Sequence, residues 1–131
     1  MCICTNKVLI ARKEKVVYKV LHKDGTTIFR SSSGLAYCGD IKAFGIPFDK
    51  MIQHKATGFD LGCGFTVFAS EKSAKAYVDN LAYCILPKFL FKIVKYKIPI
   101  GTRYATGKIY YGYIGGGLNA IRCEKLKTWS K

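Results

Sequence analysis

Acidic side chains are scarce in this 131-residue chain: 8 Asp and Glu stand against 22 Lys and Arg, a formal net charge of +14. No carboxylate occurs between Asp79 and Glu124, an interval that holds Lys88, Lys92, Lys95, Lys97, Arg103, Lys108 and Arg122. Such a field should attract phosphate-bearing partners. Long apolar runs are also missing. The longest candidate, residues 81–98, is broken by Pro87 and by lysines, so it falls short of the roughly 18 residues of a membrane-spanning helix. The first residues, Met1-Cys2-Ile3-Cys4-Thr5-Asn6-Lys7, lack the apolar core of a secretion signal. The six cysteines, at 2, 4, 38, 63, 84 and 123, form no C-x-x-C pair, and His22 and His54 stand in no ligand spacing with them. Neither a zinc motif nor a disulfide framework follows from such spacing, and buried free thiols are expected. Nor does the spacing support a nucleophile at Cys63 with His22 or His54 as its base.

What is present is enough for a folded core. Half the residues are hydrophobic and 14% are aromatic, which argues against disorder, and the length fits a single domain over residues 1–131. The strongest local signal starts at Gly62-Cys63-Gly64. Residues 65–69 are a β-favouring run, Ser70 stands where an N-cap belongs, and Glu71 suits the first helical turn. Ala74, Tyr77, Val78 and Leu81 then recur at helical spacing, with Lys72, Lys75 and Asp79 opposite them, so the pattern predicts a helix over residues 70–83.

Elsewhere strands dominate. Val16-Val17-Tyr18-Lys19-Val20-Leu21 reads as a strand, and Asp24-Gly25 as a two-residue turn into a return strand at residues 27–30. That pairing would set Lys19 opposite Arg30, a pair of cations that either hold an anion or splay into water. Residues 35–62 read as a long irregular connection with one short strand or helical turn within residues 42–52. Residues 89–98 carry apolar side chains on both parities, as a strand covered on both faces does. Residues 119–126 read as a last strand. The expected fold class is α+β: a twisted, mostly antiparallel sheet with one principal helix at about residues 70–83.

Two groups of residues carry candidate chemistry. Lys92, Lys95, Lys97, Arg103, Lys108 and Arg122 are candidate phosphate contacts, because clustered cations attract phosphate-bearing partners. The same charge would serve as a solubilising surface. Tyr110, Tyr111 and Tyr113, interleaved with glycine, are candidate stacking platforms for bases, or the packed side chains of a bulged strand. Gly115-Gly116-Gly117 opens no helix pattern, so it is not a dinucleotide fingerprint.

Two resemblances bear on this reading. The Met1-Cys2-Ile3 start, Val17-Tyr18-Lys19-Val20, Gly64-Phe65 with Phe68, and Ile98-Pro99-Ile100-Gly101-Thr102-Arg103-Tyr104 resemble a family of small uncharacterised proteins of bacteriophages and their hosts. Separately, residues 64–77 are similar to the strand–helix motif of ADP-ribosyltransferases, which cradles the nicotinamide end of NAD. That second resemblance implies a first core strand at Val17-Tyr18-Lys19-Val20 and a pocket drawing on Lys19, Arg30, Phe65 and Phe68. Its catalytic set would be Lys19, Ser70, Ser73 and Glu124. The chain departs from the motif at three places, at one of which Thr66 or Val67 replaces the strand tyrosine. Lys19 stands where Arg or His is usual, and the family's glutamate falls near Asn119 or Ala120, with Glu124 several residues too late.

Three functions follow as expectations. The first is a phage-type accessory protein, non-catalytic and without cofactor, that binds nucleic acid, an anionic nucleotide of host defence or an acidic host protein in the host-cell cytoplasm. The second is an NAD-using ADP-ribosyltransferase-like enzyme. The third is a structural virion or assembly protein. None of them involves a membrane or a metal.

Overall fold

The computed structural model describes residues 4–25, 47–56, 59, 64–84, 91–109 and 118–129. In chain order they form β1 (Cys4–Ile10), β2 (Lys15–His22), α1 (Phe48–Met51), β3 (Phe65–Val67), α2 (Glu71–Cys84), β4 (Phe91–Ile98), β5 (Arg103–Ile109), β6 (Leu118–Cys123) and β7 (Lys127–Thr128). The strands make two antiparallel sheets, one ordered β1-β5-β6-β3 and the other β2-β4-β7. The fold is α+β with one principal helix, and the expected single sheet is divided in two. Among the described residues, no helix is long and apolar enough to cross a membrane.

Helix α2 forms where its sequence pattern places it. The Ser70 hydroxyl accepts a hydrogen bond from the Ser73 N–H (3.1 Å) and donates one to Ser73 Oγ (3.0 Å), capping the first turn. Ala74 and Tyr77 are buried and Val78 is half-buried, while Lys72, Lys75 and Asp79 are exposed. The exposed Glu71–Lys75 pair, 3.5 Å apart, adds little, because solvent screens it. Burial of the apolar stripe holds the helix, at about 1.5–3 kcal/mol for each large side chain.

Strands β2 and β4 pair along their whole length, from Lys15↔Ile98 to His22↔Phe91. Side chains alternate across a strand, and these two use both faces. Val17, Leu21, Tyr96 and Ile98 join Phe48, Phe65, Val67, Ile121, Cys123 and Leu126 in one core cluster. Val20 and Phe91 join Phe68, Ala74, Tyr77 and Ala120 in a second, with Tyr18 and Ile93 packed against it. The expectation that the strand around residues 89–98 is covered on both faces at least in part is met over Phe91–Ile98.

Four residues are too few for α1 to be stable alone. It is anchored by Phe48, which is fully buried and edge-on to Phe65 (5.7 Å) and Tyr96 (5.3 Å). The Phe48 N–H also donates to the Gly25 carbonyl (2.9 Å), and the Tyr96 hydroxyl donates to Asp49 Oδ1 (2.6 Å). Burial pushes the Tyr96 phenol far above its ordinary pKa, and the neighbouring Asp49 carboxylate reinforces the shift.

Several local expectations change. The turn after β2 is closed by Gly25 N–H donating to the His22 carbonyl (2.9 Å). Lys23 and Asp24 are therefore its central residues, and Gly25 follows at φ 89°. The left-handed conformation falls on the glycine alone, as in three-residue hairpin loops, rather than on both Asp24 and Gly25. The proposed return strand at residues 27–30, with Arg30, lies outside the described residues. At Tyr18 the edge of β2 away from β4 is taken by Phe68: the two residues exchange backbone hydrogen bonds of 2.8 and 2.7 Å. The predicted last strand breaks at Glu124. The Glu124 N–H donates to the Arg103 carbonyl (3.0 Å) and its carbonyl accepts from Ala56 (2.8 Å), after which β7 joins the other sheet. Strands β1 and β5 have no counterpart in the sequence patterns. Val8 and Ile10 of β1 are 52% and 62% exposed, so β1 lacks the one-sided alternation that marks a half-buried strand.

Gly64 is required at the entry to β3. Its φ is 153°, and a Cβ there would lie 2.8 Å from the Cys123 carbonyl oxygen and 2.9 Å from Arg122 Cγ. Gly101, at φ 84°, has nothing within 4 Å. Gly64→Ala should therefore cost roughly 3 kcal/mol, from backbone strain and overpacking together. Gly101→Ala should cost roughly 1 kcal/mol, from strain alone. Urea unfolding of the two variants checks the difference.

Candidate anion-binding cleft

The start of β2, the N-terminus of α2 and the β5–β6 ladder enclose a cleft of about 490 Å³. Ladder register explains which side chains line it. Lys108 is opposite Asn119 and Thr106 is opposite Ile121, so these four share the face that farther along carries Tyr104 and Cys123 toward the core. Gly107 and Ala120, the pair between them, add backbone, since the Ala120 side chain leaves the other face of the sheet and packs in the second core cluster. The other wall holds Lys15, Ala69, Ser70 and Ser73. Lys15 rests over the Tyr104 ring, its ammonium 5.6 Å from the centroid.

The chemistry of this lining is one-sided. Its described residues include two lysines, two serines, a threonine and an asparagine, and among them there is no carboxylate. The N-terminus of a 14-residue helix adds partial positive charge at Ser70 and Ser73. Ammonium groups, hydroxyls and an amide suit an anion carrying several oxygen acceptors.

The six candidate phosphate contacts do not form one patch. Lys108 lines the cleft. Lys92 and Lys95 are exposed, but they differ by an odd number of positions on β4 and so leave opposite faces of that sheet. Lys95 lies over Trp129 at 4.7 Å, and Lys97 is 3.7 Å from Glu14, which Lys127 also contacts. Arg103 holds Glu124 with two hydrogen bonds, of 3.1 and 2.9 Å. Arg122 is buried: its Nη1 donates to the Phe59 carbonyl (2.7 Å) and its guanidinium lies 4.2 Å from the Phe59 ring centroid. Tyr110, Tyr111 and Tyr113 lie outside the described residues.

The residues assigned by resemblance are divided likewise. Ser70 and Ser73 line the cleft. Lys19, Phe65 and Phe68 are core residues, each no more than 2% exposed. The Lys19 ammonium donates to the Thr66 carbonyl (2.9 Å) and sits 5.0 Å from the centre of the Phe48 ring. Glu124 is absent from the cleft lining and faces Arg103. The four candidate catalytic residues are thus not brought together. Asn119 and Ala120, where the family's glutamate would fall, do line the cleft. Sequence reasoning missed Lys15 and Thr106, because neither lies in a motif and only strand pairing brings them to the site.

Among the described residues, no three His, Cys, Asp or Glu side chains group as metal ligands do. No family model matches this chain, and no curated protein or solved structure shows significant similarity to it.

The Arg103 guanidinium holds the Glu124 carboxyl below the usual carboxylate range. Burial opposes the shift, while the charges of Arg103 and of Lys55, 4.0 Å away, add to it. A carboxylate with a lowered folded pKa contributes stability that is full above its unfolded value, about 4.3, and is lost as pH falls through the folded value. Glu124→Gln should therefore be less stable than the parent at neutral pH. The gap should shrink as pH drops below about 4, which denaturant titrations at several pH values will measure.

Proposed function

We propose that this protein binds a small phosphate-bearing ligand of nucleotide size in the cleft and acts by binding rather than by chemistry. The observation that carries the reading is the convergence of Lys15 and Lys108, from different strands, on one cavity with no carboxylate among its described lining residues. Its volume, about 490 Å³, falls within the usual range for small-ligand sites.

The resemblance to ADP-ribosyltransferases adds to this reading and bounds it. Ser70 and Ser73, from the shared strand–helix motif, face the cleft, which supports a nucleotide as the ligand. Transfer would need a carboxylate to stabilise the positive charge that develops as nicotinamide leaves. Asn119 and Ala120 provide none, and Glu124 is engaged by Arg103. The NAD-dependent enzyme is therefore the second reading, favoured only by those serines. In the first reading the protein is a phage-type accessory factor, working inside the host cell on a nucleotide signal.

Titration calorimetry with ADP-ribose, ATP and inorganic pyrophosphate tests the site. Binding by at least one of them should weaken about tenfold or more in Lys15→Ala/Lys108→Ala, because two charged contacts are lost. Asn119→Glu, which adds a carboxylate to the wall, should weaken it comparably. Affinities unchanged in both variants would overturn the reading. Transfer of label from NAD to lysate proteins by the parent chain would replace it with the enzymatic one.

A further inference from the structure

A second basic surface lies on the opposite side of the β2-β4-β7 sheet from Lys15. Register places its residues. Val16 is opposite Lys97 and Tyr18 opposite Lys95, while Lys97 is in turn opposite Lys127. Extending the β4–β7 register by one residue beyond Thr128 brings Trp129 beside Lys95, in keeping with their 4.7 Å cation–ring contact. Side chains at alternate positions share a face. Lys95, Lys97, Lys127, Trp129, Val16 and Tyr18 therefore form one patch. Lys15, of the other parity, points away from it.

The patch is accessible in part. Helix α2 packs over one end of this face, where Tyr18 and Ile93 meet the second core cluster. Beyond that end Val16 is 40% exposed, Lys95 is exposed, the Lys127 side chain is 47% exposed, and Trp129 is half-buried. The Glu14 carboxylate contacts two of the three ammonium groups, those of Lys97 and Lys127.

We propose that this sheet face binds single-stranded nucleic acid, with Lys95, Lys97 and Lys127 on phosphates and Trp129 stacking on a base. Strands about 4.8 Å apart present a shallow surface, and among the described residues no helix stands at this end to enter a duplex groove. Aromatic rings among lysines suit an unpaired strand, whose bases expose their faces and whose backbone carries regular negative charge. A partner that offered only acidic charge would meet the lysines and make no use of the exposed part of the Trp129 ring. The surface is independent of the cleft: it shares no lining residue with it, and neither requires the other to be occupied.

Trp129 is the only tryptophan in the chain, so its fluorescence reports this patch alone. The full-length protein is titrated with an oligothymidylate of about 12 nucleotides, within the site sizes of sheet-based single-strand binders. Anisotropy of a labelled oligonucleotide and tryptophan emission are read together. Binding should quench Trp129, and Lys95→Ala/Lys127→Ala should weaken it about tenfold or more. That variant should also flatten the logarithmic salt dependence by about 0.7 for each lysine removed. Trp129→Leu should weaken binding about tenfold, through lost stacking. Glu14→Gln, which frees the clamped lysines, should tighten binding severalfold, a gain that misfolding cannot imitate. Lys72→Ala/Lys75→Ala, an equal loss of two charges on exposed α2, should stay within about twofold of the parent. The proposal is overturned by absence of binding at low salt or by parent-like affinity in the patch variants. It is likewise overturned if Trp129 emission stays unchanged on binding, or if duplex DNA or polyglutamate is preferred to the single strand.

Discussion

The two sheets meet where β2 crosses the end of β3, and the rest of the molecule depends on that joint. Tyr18 and Phe68 exchange two backbone hydrogen bonds there. One residue farther along β2, the Lys19 ammonium reaches the Thr66 carbonyl of β3. A buried ammonium is tolerated only when hydrogen bonds and polarisable neighbours replace its water. Lys19 has a carbonyl 2.9 Å away and the Phe48 ring beneath it. The contact thus ties together β2, β3 and the short helix α1, which has too few residues to persist unaided. The cleft inherits its shape from this joint, since Lys15 and Ser70 lie just beyond it on the two joined segments.

Scarcity of acid shapes the electrostatics more than excess of base does. With eight carboxylates in the chain, single acids hold several cations at once. Glu124 serves Arg103 and Lys55, and Glu14 serves Lys97 and Lys127. Aromatic rings take up further positive charge: Phe59 lies under Arg103 and Arg122, Trp129 under Lys95, and Tyr104 under Lys15. Basic residues adjacent in sequence are thereby sorted into structural cations and surface cations. A uniform basic belt, which composition alone would suggest, is replaced by a cleft and a sheet face on opposite sides of one sheet.

Some of the site was legible beforehand. Ser70, Ser73 and the helix behind them could be read because capping and helical spacing are local, set by residues within a few positions of one another. Lys108 was legible as a cation, and Asn119 and Ala120 as the places where a glutamate is missing. Lys15, Thr106 and the whole Lys95–Lys127–Trp129 patch were not. Each depends on which strand lies beside which, and β2 finds its long partner in β4, some seventy positions on.

By itself, then, the sequence determined the α+β class, the limits of α2 and the two-sided burial of β4. All of these follow from short-range periodicity and from the free energy of removing apolar side chains from water. Only the tertiary structure decided the division into two sheets, the break at Glu124 and the fate of each charge. A lysine on a strand points into the core, into a cleft or into solvent according to parity and register. Register is set by pairing between distant segments, which no local pattern encodes.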